Sequence, residues 1–182
     1  MEMDRDDLSV RLSALWNIIG LKRSLKEDRI PCQIEEGLFL GSVGAAHNKD
    51  ELKKLNITHI LTIACSLPPA DPNDFVYKVV GVLDTRDADI KQHFDDCFNF
   101  IDEGRKSGGG VLIHCFAGIS RSVTITVAYL MKTRGMNLTQ ALEHVKSRRP
   151  QAAPNVGFMV QLKDFETALR ACRVDEMKLS NV

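Results

Sequence analysis

Short apolar segments alternate with helical stretches from Ile34 onward. This order predicts an α/β fold, with a central and mostly parallel sheet of about five strands flanked by helices. The predicted strands are residues Leu38–Gly41, 58–64, 76–83 and 111–115. The last three are almost continuously apolar, which is typical of strands that are buried on both faces of a sheet.

Apolar residues at helical spacing predict the helices. Residues 90–101 keep this spacing behind Asp89, which is a suitable N-cap. Residues 120–134 are apolar on almost every side, so we expect a helix at the centre of the domain, ended by Gly135. Two further helices follow, and Pro150 stops the first of them.

The start of the chain predicts a helix over residues 7–27 that lies outside the catalytic core. Acidic residues come first, an apolar stripe follows and basic residues come last, in the order that a helix dipole favours. We therefore divide the chain into an N-terminal helical extension (1–31), a catalytic domain (32–173) and a C-terminal tail (174–182).

This extension has two interpretations. Residues 8–26 carry basic side chains and no acidic ones beside the apolar stripe, a pattern that calmodulin-like partners bind. The alternative is a helix packed on the domain with its basic end in water, because an apolar stripe is more often core than docking surface.

Composition and charge argue against several classes of partner. The chain is 44% hydrophobic and 26% charged, as globular proteins are. Lys+Arg and Asp+Glu both number 24, so no net field attracts nucleic acid and we expect no such partner. The apolar runs are shorter than the roughly 20 residues that a membrane span needs, and the acidic start is unlike a signal peptide. We therefore expect no membrane association.

The cysteines are odd in number and widely scattered, unlike a secreted disulfide framework. They are Cys32, Cys65, Cys97, Cys115 and Cys172. A reducing compartment is expected, either the cytoplasm or, as an alternative, the nucleus. Because there is no C-x-x-C motif and the five histidines lack ligand spacing, we expect no metal site.

One segment between the last predicted strand and the central helix has the character of an anion-binding loop. It reads His114-Cys115-Phe116-Ala117-Gly118-Ile119-Ser120-Arg121-Ser122. The spacing Cys-x5-Arg is weak evidence by itself. However, a turn that contains glycine and leads into a helix N-terminus places backbone N–H groups around one point. Such a loop is suited to a tetrahedral dianion.

Cys115 and Arg121 have distinct chemical tasks in such a loop. A thiol near a helix N-terminus and an arginine is held as a thiolate at neutral pH, which would make Cys115 a nucleophile. Arg121 can bind two phosphate oxygens at once, a geometry that lysine does not match. The alternatives, a buried apolar cysteine and a surface salt bridge, do not explain the glycine between them. Ser120 and Ser122 can also cap the helix.

The segment resembles the His-Cys-x-x-Gly-x-Ser-Arg-Ser signature of the dual-specificity protein phosphatases at every position. The resemblance covers residues 33–170 and is closest to small phosphatases that act on MAP kinases, with a plant-type character. It implies that Cys115 is the nucleophile, Arg121 the phosphate clamp and Ser122 the hydroxyl that eases departure of the thiolate. It also implies that His114 orients the loop and supports the thiolate, although His114 alone would be read as a core residue. The implied substrate-binding residues are Phe116, Ala117, Gly118, Ile119, Ser120, Arg121 and Asn155.

The reaction also needs an acid, because the alkoxide of serine or threonine is a poor leaving group. The family places an aspartate on a loop upstream of the cysteine, and Asp84 fits that position. Asp84 can also be a turn residue, and Asp87 and Asp89 are close enough to compete, although Asp89 is more naturally an N-cap. Asn155 resembles a family residue that braces the phosphate loop. The N-cap of the last helix is an equal alternative for it.

The resemblance therefore implies hydrolysis of phosphotyrosine and phosphothreonine or phosphoserine in proteins, through a phosphocysteine and without a cofactor. The chain has little length to spare for a deep phosphotyrosine pocket, so we expect a cleft that admits both kinds of residue. The alternative is a phosphoinositide or RNA phosphatase on this scaffold. Those that act on inositol phosphates commonly carry lysines inside the loop, whereas residues 116–119 here are Phe, Ala, Gly and Ile, which disfavours this alternative. A phosphoprotein-binding module would normally have lost Cys115 or Arg121, and both are present. Sulfur transfer is disfavoured by Ser122 and by the upstream acid.

Overall fold

In the computed structural model, which describes residues 25–65 and 67–179, five strands form one sheet in the order β1-β2-β5-β3-β4. The strands are β1 (Cys32–Glu35), β2 (Leu38–Gly41), β3 (Ile57–Ile63), β4 (Val76–Val80) and β5 (Gly110–His114). β1 is antiparallel to β2, and all other neighbouring strands are parallel. The predicted α/β class with a mostly parallel sheet is confirmed.

The helices connect and cover these strands. They are α1 (Val43–Ala46), α2 (Lys49–Lys54), α3 (Phe94–Lys106), α4 (Arg121–Arg134), α5 (Leu138–Arg148) and α6 (Val156–Leu179), with a 3-10 turn at Lys91–His93 before α3. The end of α4 is formed by Gly135 in the left-handed conformation, φ 68°, as predicted. Asn137 begins α5 with a reciprocal hydrogen-bonded cap to Gln140.

The two faces of the sheet pack against different helices, because successive side chains of a strand point to opposite sides. Phe39 and Leu112 lie on the face covered by α1 and α2. Val111 and Ile113 lie on the other face, in the larger core that α3 to α6 complete. β5 is therefore buried on both sides, and helix α4, which follows it, is buried from Ser122 to Met131. The site is built where these two buried elements meet.

Two sequence predictions about the strands were wrong. The segment 76–83 was expected to be buried on both faces, but β4 ends at Val80 and lies at the edge of the sheet. Val76 and Val79 are 51% and 46% exposed, because an edge strand lacks a covering neighbour. β1 was not predicted, since its four residues show no clear apolar alternation.

Two described features lie at the predicted domain boundaries. Helix α6 continues to Leu179, beyond the predicted domain end at residue 173, because no glycine or proline follows Phe158. At the other end, residues 25–27 are helical, and the rest of the predicted N-terminal helix lies outside the described residues. Pro31, placed in the extension, is buried against the domain. No helix within the described ranges has the length and apolar character to cross a bilayer.

Candidate active site

The loop between β5 and α4 directs its carbonyl groups outward. Each carbonyl of residues 115–119 accepts a hydrogen bond from a group behind the loop. The donors are His114 Nδ1 to Cys115 O (3.2 Å), Val43 N to Phe116 O (3.1 Å), Arg149 Nη2 to Ala117 O (3.0 Å), Arg149 Nε to Gly118 O (2.6 Å) and Ala153 N to Ile119 O (2.8 Å).

The opposite edges of these peptide groups face the inside of the loop. The described peptide bonds are all trans, so each carbonyl points away from the N–H of the next residue. The N–H groups of residues 116–120 therefore point away from the groups behind the loop, and that of Gly118 donates to Cys115 Sγ at 3.2 Å. The N-terminus of α4 adds its positive dipole end at Arg121. This is a binding site for an anion centred over the Cys115 sulfur.

Gly118 is the one loop position where the backbone excludes a side chain. Its φ is +64°, and a Cβ there would lie 2.4 Å from Gly41 O and 2.5 Å from Arg149 Nη2. Only glycine combines the left-handed conformation with such a close approach to neighbouring backbone. Steric exclusion of any side chain therefore explains why the signature has glycine at this position.

Cys115 lies at the base of a cleft of about 440 Å³ and is 1% exposed. The hydroxyl of Ser122, itself fully buried, lies 3.2 Å from Cys115 Sγ. This contact lets Ser122 donate a hydrogen bond to a thiolate. The sulfur therefore has one backbone donor and one side-chain donor.

Arg121 lines the same cleft with its guanidinium group partly oriented by the backbone. Its Nη1 donates to Val82 O at 3.0 Å. Its buried Nε makes no hydrogen bond to any described residue, although it lies 3.4 Å from Asp84 Oδ2. The group is thus held at the cleft with donor capacity that a phosphate can use.

Asp84 is the acidic residue that the fold brings to the cleft. It lies on the loop after β4, and its side chain is 33% exposed. Its two competitors do not line the cleft. Asp87 is exposed, and Asp89 accepts a hydrogen bond from Gln92 N at 3.2 Å. Asp89 is not the predicted N-cap, because the N-cap positions of the 3-10 turn and of α3 are Ile90 and His93. Of these three aspartates, only Asp84 lines the cleft.

Ser120 and Asn155 hold Asp84 in place. Asp84 Oδ1 accepts from Ser120 Oγ at 2.7 Å and from Asn155 Nδ2 at 2.9 Å. Ser120 occupies the N-cap position of α4, but its side chain makes no cap hydrogen bond there. Two interpretations were offered for Asn155, a brace of the phosphate loop and the N-cap of the last helix. Its backbone N donates to Ser120 Oγ of the loop at 3.0 Å, and its Oδ1 accepts from Phe158 N of α6, also at 3.0 Å. Asn155 does not line the cleft, and it contacts two residues that do, Ser120 and Asp84.

His114 is buried beneath the loop in its neutral form. Burial lowers the pKa of His114 to about 4. Its Nδ1 donates to Cys115 O, so its Nε2 accepts from Thr62 Oγ1 at 2.7 Å. His114 thus orients the loop backbone and carries no positive charge near neutral pH. Thr62 was missed by sequence reasoning, since nothing in its strand marks a contact 52 residues away.

Sequence reasoning also missed a buried ion pair behind the loop. Arg149 is 1% exposed and contacts the carboxylate of Asp28. Burial alone lowers the pKa of Arg149, but the hydrogen bonds and charge of Asp28 outweigh it and raise the pKa above its ordinary value. The Arg148-Arg149-Pro150 sequence resembles the family, but it does not indicate that Arg149 is buried.

The cleft brings together most of the predicted substrate-binding residues. Its predicted lining residues are Phe116, Ala117, Ile119, Ser120 and Arg121, while Gly118 contributes its backbone. Of the described residues lining the cleft, Arg121 is the only lysine or arginine. Within residues 25–65 and 67–179, no three His, Cys, Asp or Glu side chains cluster as metal ligands do. The cleft therefore suits a single phosphate group.

Comparison with known proteins identifies the family that shares this site. Residues 38–168 match the family described as "Dual specificity phosphatase, catalytic domain". The chain belongs to the dual-specificity protein phosphatases. It is an enzyme that hydrolyses phosphotyrosine and phosphoserine or phosphothreonine in proteins through a phosphocysteine intermediate. The phosphoinositide, RNA and binding-module alternatives are not favoured.

The relatives include proteins from several kingdoms. The chain is 54% identical to "Dual specificity protein phosphatase 1" of Arabidopsis thaliana over 170 residues, which cover 93% of this chain and 86% of the relative. It is 48% identical to "MAP kinase phosphatase with leucine-rich repeats protein 3" of Dictyostelium discoideum, covering 77% of this chain and 16% of that protein. The human tyrosine phosphatase-like serine/threonine/tyrosine-interacting protein superposes with a TM-score of 0.74 at 36% identity, covering 77% and 97% of the two chains.

Proposed function

We propose that this chain dephosphorylates MAP kinases, with Cys115 as nucleophile, Arg121 as phosphate clamp, Asp84 as general acid and Ser122 as donor to the departing sulfur. The observation that carries the proposal is the hydrogen bond of 3.2 Å from Gly118 N to the Cys115 sulfur, within one cleft that also contains Arg121 and Asp84. His114 takes part by orienting the Cys115 carbonyl.

The first step transfers the phosphoryl group to sulfur. The Cys115 thiolate attacks phosphorus, the bond between phosphorus and the substrate oxygen breaks, and Asp84 gives its proton to that oxygen. The loop N–H groups and Arg121 bind the equatorial oxygens, where the charge of the transition state is spread. The products are the dephosphorylated side chain and a cysteinyl phosphate.

The second step returns the enzyme to its starting state. Asp84, now ionised, accepts a proton from water as the water oxygen attacks phosphorus and the phosphorus–sulfur bond breaks. Ser122, at 3.2 Å from the sulfur, donates a hydrogen bond to the thiolate as it departs. Inorganic phosphate leaves and Asp84 is protonated again.

Substitution of Cys115 tests this mechanism directly. Cys115→Ser should abolish hydrolysis of an aryl phosphate but still bind a phosphopeptide, because the backbone donors do not depend on the sulfur. Turnover is followed in the presence of a thiol reductant, and binding by fluorescence anisotropy. Residual turnover above background in Cys115→Ser would contradict the phosphocysteine mechanism.

MAP kinases are proposed as substrates because a relative at 48% identity carries that activity in its name. The test compares kcat/KM for doubly phosphorylated MAP kinases with kcat/KM for unrelated phosphoproteins of similar phosphate content. We expect a preference for the MAP kinases, with loss of phosphate from both tyrosine and threonine. Equal rates on all phosphoproteins would remove the kinase assignment and leave the reaction intact.

Calmodulin is a further proposed partner, supported by the basic amphipathic pattern of residues 8–26 alone. Residues 1–24 lie outside the described part of the chain. The competing interpretation, a helix packed on the domain, predicts that removal of residues 1–27 lowers thermal stability. Calcium-dependent binding is measured through the fluorescence of Trp16, the only tryptophan. No spectral change at micromolar calmodulin would leave the structural interpretation.

The proposed location is the cytoplasm, with the nucleus as an alternative. The support is the odd number of scattered cysteines, which suits a reducing compartment. Fractionation of cells that express the full chain tests this assignment, and recovery in a secretory fraction would contradict it.

A further inference from the structure

The buried guanidinium of Arg149 supports the phosphate loop from behind. Its Nε and Nη2 donate to the carbonyls of Gly118 and Ala117 at 2.6 and 3.0 Å. Since each carbonyl points away from the following N–H, these two bonds direct the N–H groups of Gly118 and Ile119 into the anion site. The direction of two of the five loop N–H groups therefore depends on one side chain.

Asp28 fixes the orientation of that guanidinium. Its carboxylate accepts from Arg149 Nη1 at 3.2 Å and from Nη2 at 2.5 Å. Asp28 is itself anchored, because its carbonyl accepts from Ser42 Oγ at 3.0 Å. A planar guanidinium held at two points by a carboxylate has a defined orientation. The segment that precedes β1 is thereby connected to the catalytic loop across 121 positions of sequence.

Charge explains why the two residues act together. A guanidinium that is 1% exposed needs a compensating charge, and Asp28, at 27% exposure, is the acid that supplies it. Without this carboxylate, Arg149 has reason to move toward water and to release the loop carbonyls. The hydrogen bonds to Ala117 and Gly118 therefore depend on Asp28 as well as on Arg149.

We propose that Asp28 and Arg149 are positioning residues for phosphate binding. The pair sets the orientation of the two peptide groups on either side of Gly118, and so the affinity of the loop for phosphate in the transition state. Neither side chain contacts the reacting atoms. The inference rests on the proposed function, because it takes the loop as the site of the transferred phosphate.

The test uses two substitutions in the full chain. Arg149→Lys keeps the charge but lacks the fork that contacts two carbonyls and a carboxylate at once. Asp28→Asn removes the charge and leaves Arg149 in place. We expect kcat/KM for an aryl phosphate to fall about 100-fold in Arg149→Lys and about 10-fold in Asp28→Asn, as small misplacements of catalytic groups do.

Orthovanadate provides a measurement that does not need turnover. The rise in Tm with orthovanadate concentration gives its Kd, because a ligand of the folded state stabilises it by mass action. We expect the Kd to increase by the same factor as kcat/KM falls. A role in folding alone would lower the Tm without ligand and leave both the Kd and the kcat/KM of the folded protein unchanged.

Glu35→Gln is the matched control. Glu35 forms a carboxylate–guanidinium pair with the more exposed Arg134, at 2.9 Å, near the opposite end of α4 and roughly 20 Å from the loop. It should lower the Tm and keep kcat/KM and the orthovanadate Kd at wild-type values.

The outcomes separate the possibilities. If folded Arg149→Lys and Asp28→Asn keep both constants within two-fold of wild type, or if Glu35→Gln changes them equally, the positioning role is wrong. If Arg149→Lys does not fold, Asp28→Asn decides the question. Failure of the proposed function would appear differently, as a wild-type chain that binds orthovanadate without hydrolysing aryl phosphates. In that case the Kd values still test the pair.

Discussion

Replacing Asp84 with asparagine separates acid catalysis from support of the fold. The new amide oxygen can still accept from Ser120 Oγ and Asn155 Nδ2, which lie 2.7 and 2.9 Å from Asp84 Oδ1. Only the 3.4 Å ion pair between Asp84 Oδ2 and Arg121 Nε is lost. Because that pair is partly exposed, its loss costs about 1 kcal/mol of folding free energy or less.

The expected catalytic loss is much larger. A general acid contributes roughly 10²- to 10⁴-fold in rate, which corresponds to about 3–5 kcal/mol in the activation barrier. The fall in kcat should have that size on a phosphothreonine peptide. It should be smaller on an aryl phosphate, whose leaving group needs little protonation. This contrast identifies acid catalysis, because a distorted phosphate loop would slow both substrates equally.

The assay measures kcat for both substrates in Asp84→Asn, Asp87→Asn and Asp89→Asn, with urea denaturation as the control for folding. Asp89→Asn can keep its bond to Gln92 N, so its fold should be unaffected. If Asp84→Asn loses the same factor on both substrates, or if Asp87→Asn alone shows the leaving-group contrast, Asp84 is not the acid.

Three further outcomes follow from the geometry of the site. Ser122→Ala should slow release of phosphate from the cysteine, so that rapid-mixing experiments show a burst of phenol; a linear time course would contradict this role. Gly118→Ala should lower kcat/KM about 100-fold, whereas Gly108→Ala, with φ +80° and no atom within 4 Å of its Cβ, should lose only stability. Burial lowers the pKa of His114 to about 4 in the folded state, whereas the unfolded chain protonates it near pH 6.5. The free energy of unfolding should therefore decrease by about 3 kcal/mol as the pH falls from 6.5 toward 4. Urea midpoints check this slope, which should be absent in His114→Gln.

Local sequence was sufficient for the elements that carry the chemistry. The apolar run of β5, the signature segment and the buried helix α4 are continuous in the chain, and Gly118 and Gly135 mark its turns. Each signal lies within a few residues of the feature that it predicts. The fold class could be read for the same reason, since alternating strands and helices leave few arrangements open.

Tertiary structure decided which side chains meet the loop. Sequence put Asp84 ahead of Asp87 and Asp89 only through the family resemblance, because all three follow the same strand. Its contact with Ser120 joins positions 36 residues apart and depends on the order of β3, β4 and β5. The tertiary structure also decides that β4 lies at the edge of the sheet, because the hydrophobicity of a strand does not show whether it has a neighbour on each side.

The pair of Asp28 and Arg149 lies furthest from what the sequence determined. Aspartate and arginine are residue types that usually lie on the solvated surface, and an arginine is rarely buried without a partner. Burial of Arg149 becomes favourable only when the folded chain brings a carboxylate and two loop carbonyls to it at once. Sequence determines the residues that react, because their signals are local. Their orientation depends on contacts between distant segments, whose free energy exists only in the folded state.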